Sequence, residues 1–490
     1  MKYKLWGALL CVCAIALSLA APLFENGVET RYHQHRDAPA KAEDTAAAGT
    51  LSTHLPLVEI DTGGVEIPGK GAYREDGSSY YTVAADGSDA ITAHMDVIDH
   101  DTTYNHAGDE PTLSTEITIH VRGNSSRFFD KSGYAIRLIN ADGTNNPQVM
   151  MGMDAHHEWI LHGPYLDKTL IRNYMWYNIG GEIMDYAPNV RFCEVILNGE
   201  YQGLYLMVER ITAGTNGARL NLTVNAKRNT FSGYLLQLNG GRPTDGAQTN
   251  QFTYDSTRLP FQIDIVYPGA SNITPEIVEG ISKDFSDFEK AMYSYDYDNE
   301  KYGYAAMIEA ESFVDYFLIN ELTCNYDAGW MSTYIYKDVN GKFKLCLWDM
   351  NSVCNNYQDD MVTLEGFQTQ YCPWYVMLIK DEDFTDAIIN RYWELRKTFF
   401  SEDYLNQYID DTFAFLGPAV DRNFSVWGYS FEQEYDLLTP TERNPRSYEG
   451  AVAQMKSFLT DRITWMDENI DTLRQYSAES KVKKFNENAN

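Results

Sequence analysis

The segment 312–351, SFVDYFLINELTCNYDAGWMSTYIYKDVNGKFKLCLWDMN, predicts a helix followed by a β-hairpin. Its first part places apolar residues at helical spacing, which predicts a largely buried helix. Ser312 is expected to cap the start of that helix, with Asp315 as its partner in a short capping box. The helix is expected to end at Asn325, and Gly329 permits a sharp turn soon after. The first half of the segment therefore predicts a helix that leads into a tight loop.

The second half of the segment predicts a β-hairpin. Asn340-Gly341 is a strong two-residue turn signal, and it lies between two runs of strand-forming residues, 332–337 and 342–348. If these two residues form the whole turn, Asp349 faces Ser332 across the strand pair. The hairpin therefore ties the end of its second strand to the loop that precedes its first strand.

Two carboxylates come together in this arrangement. Asp327 lies five residues before Ser332. At roughly 3.3 Å per extended residue, its carboxylate can be no more than about 16 Å from that of Asp349. A turn at Gly329 shortens this distance. The residues alone leave two interpretations open: carboxylates that act together in chemistry, and side chains that form local hydrogen bonds where a helix and a strand end.

The rest of the chain divides into a β-rich first half and a helical second half. Short apolar runs punctuated by Gly, Asp and Asn, such as 57–60, 116–121 and 134–139, predict strands up to about residue 210. Beyond residue 275 the dominant pattern is helical spacing, interrupted by the hairpin described above. This order predicts the α+β class.

Five sequence blocks, in order, resemble the CotH family of spore-coat, protein-kinase-like proteins. One such block is a weak signal, whereas five with matching order and spacing are a strong one. The blocks are RGNSS (122–126) with the residues that follow it, MGMDAHHEWILHGPYLDKTLIRN (151–173), EVILNGEYQGLYLMVERI (194–211), NELTCNYDAGWMSTYIYKD (320–338) and LWDMN (347–351).

The resemblance implies a reduced protein-kinase-like, bilobal fold and an atypical kinase. The expected domain covers residues 56–475, with a β-rich N-terminal lobe of about 56–210 and a mostly helical C-terminal lobe of about 211–475. ATP and Mg²⁺ or Mn²⁺ are the implied cofactors, and the γ-phosphate is transferred to a protein hydroxyl. Spore-coat or cell-envelope proteins are the expected substrates.

The resemblance also implies roles for residues in the last two blocks. Asp327 is expected to be the catalytic residue that accepts the proton of the acceptor hydroxyl, and Asp349 to bind the metal that bridges the ATP phosphates. Asn351 stands where the family often has a second acidic residue. Its amide oxygen can still bind a metal, but it carries no charge, so weaker metal binding is expected.

Four residues of the first half are expected to bind the nucleotide. Arg122 begins a short loop of small residues whose backbone can approach phosphate. Lys131 and Arg137 match basic positions of the family and are expected to face the phosphates, and Glu209 the adenine side. The alternatives for these positions are an ordinary turn at a strand end and exposed charges on strands. The residues expected to brace the two lobes instead are Asp167, Arg172 and Asn173.

Composition restricts the partners and the chemistry. The formal net charge is −31, which repels nucleic acid and anionic membrane surfaces. All ten histidines lie at or before His162, so a Ser-His-Asp triad or a zinc site would need a histidine from the N-terminal third. The seven cysteines show no Cys-x-x-Cys spacing, which argues against a disulfide framework or a structural zinc site.

The N-terminus predicts export. A basic start precedes the uncharged run Leu5–Phe24, which resembles a signal peptide and is also long enough for an uncleaved anchor. Residues 1–24 are therefore expected to be a signal peptide or membrane anchor, 25–55 a flexible linker, and 476–490 a polar tail. The protein is expected outside the cytoplasm, secreted or at the cell surface, with membrane contact only through such an anchor.

Two other functions stay open. Asn351 favours a catalytically weak pseudokinase that serves as a structural spore-coat or cell-surface binding protein, which would bind nucleotide without transferring phosphate. Aromatic richness and plentiful carboxylates also suit an extracellular carbohydrate-active enzyme, which would bind or cleave glycan without nucleotide. Composition is all that supports the second of these.

Overall fold

The computed structural model describes residues 31–42, 50–214, 219–223, 232–240, 251–252, 263–357 and 363–477. The predicted signal peptide or anchor, 1–24, and residues 478–490 of the predicted tail lie outside these ranges. In the part of the chain that is described, no helix has both the length and the hydropathy needed to cross a membrane.

Seven strands of the first half close into a barrel. They are β1 (Leu57–Asp61), β2 (Ile91–Ile98), β3 (Leu113–Val121), β4 (Tyr134–Ile139), β5 (Glu158–His162), β6 (Val190–Leu197) and β7 (Glu200–Glu209). Their order is β5-β7-β6-β1-β2-β3-β4, and β4 pairs with β5 to close the barrel. Neighbours are antiparallel, except that β1 and β6 are parallel. The sequence predicts six of these strands but not β5, and it does not predict the closure, because alternation shows only which side chains share a face.

Strands β6 and β7 are buried on both faces. Val190 and Phe192 of β6 belong to the main core, together with the helices, whereas Cys193 and Val195 fill the barrel. Strand β7 alternates in the same way. The turn between the two strands is the predicted Asn198-Gly199, and both residues have positive φ, as a tight hairpin turn requires. The β6–β7 hairpin is therefore a wall that the barrel and the helical part share.

A second antiparallel sheet, of five strands, lies later in the chain. It consists of β8 (Tyr234–Leu238), β9 (Gln251–Phe252), β10 (Ile263–Tyr267), β11 (Thr333–Lys337) and β12 (Lys344–Cys346). Their order is β9-β10-β8-β11-β12. The sequence predicts only the β11–β12 hairpin, because β8 is a short, continuously buried run in which periodicity does not separate strand from helix.

Helices dominate the second half, and with the barrel they confirm the α+β prediction. The helices are α1 (Gln34–Asp37), α2 (Arg172–Ile183), α3 (Pro275–Met292), α4 (Ala310–Thr323), α5 (Tyr375–Leu378), α6 (Glu382–Leu395), α7 (Glu402–Leu416), α8 (Pro418–Trp427) and α9 (Tyr448–Asn469). The predicted cap at Ser312 is wrong, because α4 begins at Ala310. The buried Ser312 hydroxyl instead accepts a hydrogen bond from the Leu345 amide at 2.9 Å, which joins α4 to β12.

The β11–β12 hairpin is confirmed, but its register differs from the prediction by one residue. A two-residue turn would place Tyr334 opposite Leu347, whereas Tyr334 pairs with Cys346. Asn340 has positive φ but Gly341 does not, and the Gly341 amide donates to the Asp338 carbonyl at 2.9 Å. The loop therefore has one residue more than the predicted two-residue turn, in which both central residues would have positive φ.

Part of the predicted linker packs against the domain. The Arg31 Nε donates to Asn178 Oδ1 at 3.0 Å. The side-chain amide of Gln34 accepts from the Phe192 backbone N at 2.7 Å and donates to its carbonyl at 3.2 Å, as a neighbouring strand would. Arg31 and Gln34, which lie within the predicted linker 25–55, are therefore part of the packed structure.

The described cysteines are free thiols in the core. Burial raises the pKa of Cys324 and of Cys354 to about 12, so neither is a thiolate at neutral pH. The five are Cys193, Cys324, Cys346, Cys354 and Cys372.

Candidate active site

A polar cavity of about 170 Å³ lies where the ends of several elements meet. The loops after β3 and β12, the loop before β11 and the end of β8 contribute to its walls. It brings together the loop 122–126 of the first half and Asp327, Asp349 and Asn351 of the second half. Other residues that line it include His162, Gln237, Asn239, Ser332, Trp348 and Tyr357.

Asp349 is held at the open end of the β11–β12 hairpin. Its carboxylate Oδ2 accepts from the Ser332 hydroxyl at 3.1 Å, so these two residues meet despite the shift in register. Its backbone N donates to the Tyr177 hydroxyl at 3.0 Å, and its φ of 59° lies in the left-handed region. Burial raises the pKa of Asp349, while Arg122 and the Ser332 hydrogen bond act in the opposite direction. The carboxylate is thus fixed in a site that favours a cationic partner.

Asp327 lies in a compact loop that follows α4. The Asn325 side chain accepts from the Asp327 backbone N at 3.2 Å, and the Asp327 carbonyl accepts from the Met331 backbone N at 2.9 Å. Gly329 has a φ of 81°, and a Cβ there would lie 2.7 Å from the Cys372 Cβ. The loop therefore needs glycine at this turn, and it fixes the Asp327 backbone beside the cavity.

Asn351 offers an oxygen atom with no partner of its own. Its side-chain Oδ1 is buried without a hydrogen bond, although its Nδ2 donates to the Ser352 hydroxyl at 3.3 Å. A buried, unsatisfied acceptor is costly unless a ligand completes it. Among the described residues, no cluster of three His, Cys, Asp or Glu side chains could hold a metal ion. The Asp349 carboxylate and the Asn351 amide oxygen fit a hard divalent cation that also binds oxygens of a ligand.

The loop 122–126 adds a cation to the same cavity. The Arg122 guanidinium lies 5.6 Å from the centre of the Trp348 ring, and its charge offsets part of the rise that burial causes in the pKa of Asp349. Gly123 has a φ of 106°, and a Cβ there would lie 2.0 Å from the Ser126 hydroxyl oxygen. The tight turn therefore depends on Gly123, and it places Arg122 and small polar groups where an anion could be bound.

Three lining residues have no counterpart in the sequence predictions. His162, at the end of β5, lines the cavity together with residues of the second half, so a histidine is present at this site. Burial lowers its pKa to about 4, so it is neutral at pH 7. Gln237 and Asn239 extend from β8, and the Gln237 Oε1 is buried without a partner. A single glutamine in the apolar run YLLQL was the signal that could have identified β8 as part of the site.

Lys131 does not reach the polar cavity. Its side chain is 1% exposed, and its Nζ donates to the Leu204 carbonyl at 2.6 Å and to Asn423 Oδ1 at 2.7 Å. Burial lowers the pKa of Lys131 well below its usual value. The prediction that Lys131 faces phosphates is therefore replaced by a structural role, in which it joins β7 to α8.

Arg137 and Glu209 also lie outside the cavity. Arg137 is exposed on β4, where its Nε donates to Asn145 Oδ1 at 2.8 Å, as in the alternative of an exposed strand charge. Glu209, fully buried at the end of β7, accepts from the backbone N of Asn189 at 2.9 Å. Neither side chain shares a site with Asp349 in this structure, so the predicted nucleotide contacts reduce to Arg122 and its loop.

A buried ion pair holds the Asp349 loop from behind. Arg172, at the start of α2, pairs with Asp167, and both are almost completely buried. The Arg172 Nε donates to the Val353 carbonyl at 2.9 Å, and its Nη2 donates to the Cys354 carbonyl at 3.1 Å. These contacts agree with the bracing role that the sequence suggests for Asp167 and Arg172.

Comparisons with known proteins bear on the whole of this region. A sequence model of the family described as CotH kinase protein matches residues 119–466, which include every residue that lines the polar cavity. The comparison with curated proteins gave no match.

The comparison with solved structures found a similarity to part of the chain. It belongs to the complex described as the Shewanella oneidensis MR-1 toxin antitoxin system HipA, HipB and its operator DNA, with 14% sequence identity and a TM-score of 0.28. The similarity covers 70% of this chain and 66% of that one, so the chain spans just under two thirds of that protein. A TM-score this low does not establish a shared fold.

Proposed function

Because the chain belongs to the CotH kinase protein family, we propose that it is an atypical protein kinase with a two-lobed, kinase-like fold. The barrel would form the N-terminal lobe, and the second sheet with its helices the C-terminal lobe. The proposed substrates are ATP and hydroxyl groups of spore-coat or cell-envelope proteins. The observation that carries this proposal is the polar cavity, in which Arg122 of the first half meets Asp327, Asp349 and Asn351 of the second half.

Asp349 and Asn351 would hold Mg²⁺ or Mn²⁺. Both offer oxygen atoms, which these cations prefer, and the Asn351 Oδ1 is buried without a hydrogen bond in the present structure. A cation bound there would neutralise charge on the ATP phosphates. Arg122 and the backbone of its loop would bind phosphate oxygens from the other side of the cavity.

Asp327 would orient the acceptor hydroxyl and take its proton. In the transfer step the acceptor oxygen forms a bond to the γ-phosphorus, the bond from that phosphorus to the bridging oxygen breaks, and ADP leaves with the electron pair. The proton of the hydroxyl passes to the Asp327 carboxylate. The fixed loop suits this role, since a general base acts only when it lies within hydrogen-bond reach of its proton.

We expect the exported domain to transfer label from ATP to coat or envelope proteins in the presence of Mg²⁺ or Mn²⁺. The Asp327→Ala variant should bind ATP almost normally but transfer phosphate roughly 10²-fold more slowly, because it lacks the proton acceptor. Label transfer and calorimetry with ATP measure the two quantities separately. Asp154→Ala, which removes an exposed aspartate outside the cavity, is the matched control. Equal transfer by folded Asp327→Ala and by the wild type would exclude this role.

Export is the proposed route to such substrates. The uncharged run Leu5–Phe24 motivates it. A reporter fused after residue 55 should be recovered outside the cytoplasm, and mass spectrometry of the mature N-terminus should show whether the run is removed. Recovery of the reporter in the soluble cytosolic fraction would exclude export.

A pseudokinase with a structural or binding role in the coat or cell surface is the second candidate. The amide of Asn351, in place of a carboxylate, favours it because the metal site has one negative charge fewer. Such a protein would gain thermal stability from ATP and metal, as any bound ligand provides, but would transfer no label. The labelling experiment above therefore separates the two functions.

A further inference from the structure

A larger groove of about 690 Å³ lies beside the polar cavity. We call it the aromatic groove, because Tyr326, Trp330, Tyr371 and Tyr476 line it and are each between 38% and 67% exposed. Large exposed aromatic side chains that cluster in a groove are unusual on a soluble surface and mark binding sites. The mechanism proposed above gives these four residues no role.

The aromatic groove and the polar cavity are adjacent. Met331 lines both, and Tyr326 precedes Asp327 in the chain. The ring of Tyr326 stacks on that of Tyr357, with 5.9 Å between the ring centres, and Tyr357 lines the polar cavity. A ligand that lies in the groove is therefore close to the Asp327 loop.

Buried hydrogen bonds fix the wall of the groove to α4. Glu321 of α4 is fully buried and accepts from the backbone N of Gln368 at 3.0 Å and of Thr369 at 2.6 Å. Arg462 of α9, also fully buried, donates to Glu321 Oε2 at 3.0 Å and to the Gly366 carbonyl at 2.9 Å. The same helix thus carries both the groove wall and the loop with Asp327.

The lining chemistry identifies the kind of ligand. The floor includes the buried Phe367 and Cys372. Gln370 is 5% exposed, and its Oε1 is buried without a hydrogen-bond partner, so the groove offers an acceptor that lacks a donor. Among the described residues that line the groove there is no Lys, Arg or His, and Glu365 is acidic. An anionic ligand such as nucleic acid or an acidic peptide would therefore be repelled.

We propose that the aromatic groove binds the polypeptide that carries the acceptor hydroxyl, by receiving one of its aromatic or large aliphatic side chains among Trp330, Tyr371 and Phe367. The Gln370 Oε1 would accept a backbone N–H of the same segment. A saccharide fits less well, because its hydroxyl groups would lose hydrogen bonds against the apolar floor. This inference rests on the proposed kinase function, since it names the substrate feature that the enzyme recognises.

Short alanine-glycine peptides with one central Ser test the proposal, with a single Trp moved through the flanking positions. Fluorescence anisotropy without ATP measures peptide binding, and label transfer from ATP measures turnover. We expect Trp at one or two positions to tighten binding and to lower KM about tenfold relative to the peptide without Trp. Trp330→Ala and Tyr371→Ala should remove that preference. Tyr302→Ala is the matched control, because Tyr302 and Tyr371 are both 67% exposed and Tyr302 lies outside the groove.

Each outcome decides a different question. Binding that is independent of Trp, or a Trp preference that survives both groove substitutions, overturns the groove assignment. Tighter binding of a neutral oligosaccharide such as cellotetraose, lost in Tyr371→Ala, overturns the polypeptide in favour of a glycan. Trp-dependent binding without label transfer to any peptide keeps the groove as a polypeptide site and overturns the kinase assignment instead.

Discussion

The Asp349→Ala variant is expected to lose phosphate transfer, by ~10³-fold or more, together with the metal-dependent part of ATP binding. Asp349 is the only carboxylate proposed to hold the cation, and the stabilisation of phosphate charge in the transfer step depends on that cation. Label transfer over a range of Mg²⁺ and Mn²⁺ concentrations measures the first effect, and calorimetry with and without metal measures the second.

The Ser332→Ala variant is the matched control for Asp349. It removes the hydrogen bond at 3.1 Å but leaves the carboxylate, so a modest effect on transfer is expected. Asn351→Asp should keep or raise activity, since it restores a charge to the metal site. Thermal unfolding must first show that Asp349→Ala is folded. Transfer by that folded variant at the wild-type rate would show that the metal site lies elsewhere.

The Arg462→Met variant is expected to lower the free energy of unfolding by about 3–5 kcal/mol, because it leaves the Glu321 carboxylate buried without a charge partner. Both side chains of this pair are 0% exposed. Denaturant unfolding measures the change. Arg446→Met is the matched control, since Arg446 pairs with Glu434 at 2.9 Å on the surface, where an ion pair contributes little.

A second variant separates the loss of charge pairing from the loss of packing. Glu321→Leu combined with Arg462→Met should recover only part of the stability, because Glu321 also accepts from the backbone amides of Gln368 and Thr369. An unfolding free energy of Arg462→Met equal to that of Arg446→Met would show that the buried pair does not support the groove wall.

The sequence places Asp327 near Asp349 because a helix end, a turn and a hairpin connect them locally. That juxtaposition survives a shift of one residue in the register, since the Ser332 hydroxyl still reaches the Asp349 carboxylate. The shift itself depends on which residue of the turn takes positive φ. The residue types of Asn340-Gly341 are equally compatible with a two-residue turn and with a longer loop.

Long-range features are harder to predict from one sequence. Lys131 and Arg137 look alike as basic residues near a strand, yet one is tied to Leu204 and Asn423 inside the protein and the other is exposed. Only the way the barrel closes decides between these environments. The same holds for His162 and Gln237, which reach the polar cavity because strands from both halves end there.

The wall that β6 and β7 form has a consequence for how the chain can be divided. A chain cut after Arg210 would contain every barrel strand, but it would present the apolar residues of the outer face to water. That stripe would promote self-association instead of leaving a soluble fragment. The residues concerned are Val190, Phe192, Leu204, Leu206 and Val208. The predicted lobe boundary near residue 210 therefore does not separate two domains that are each soluble alone. We expect the isolated barrel to self-associate.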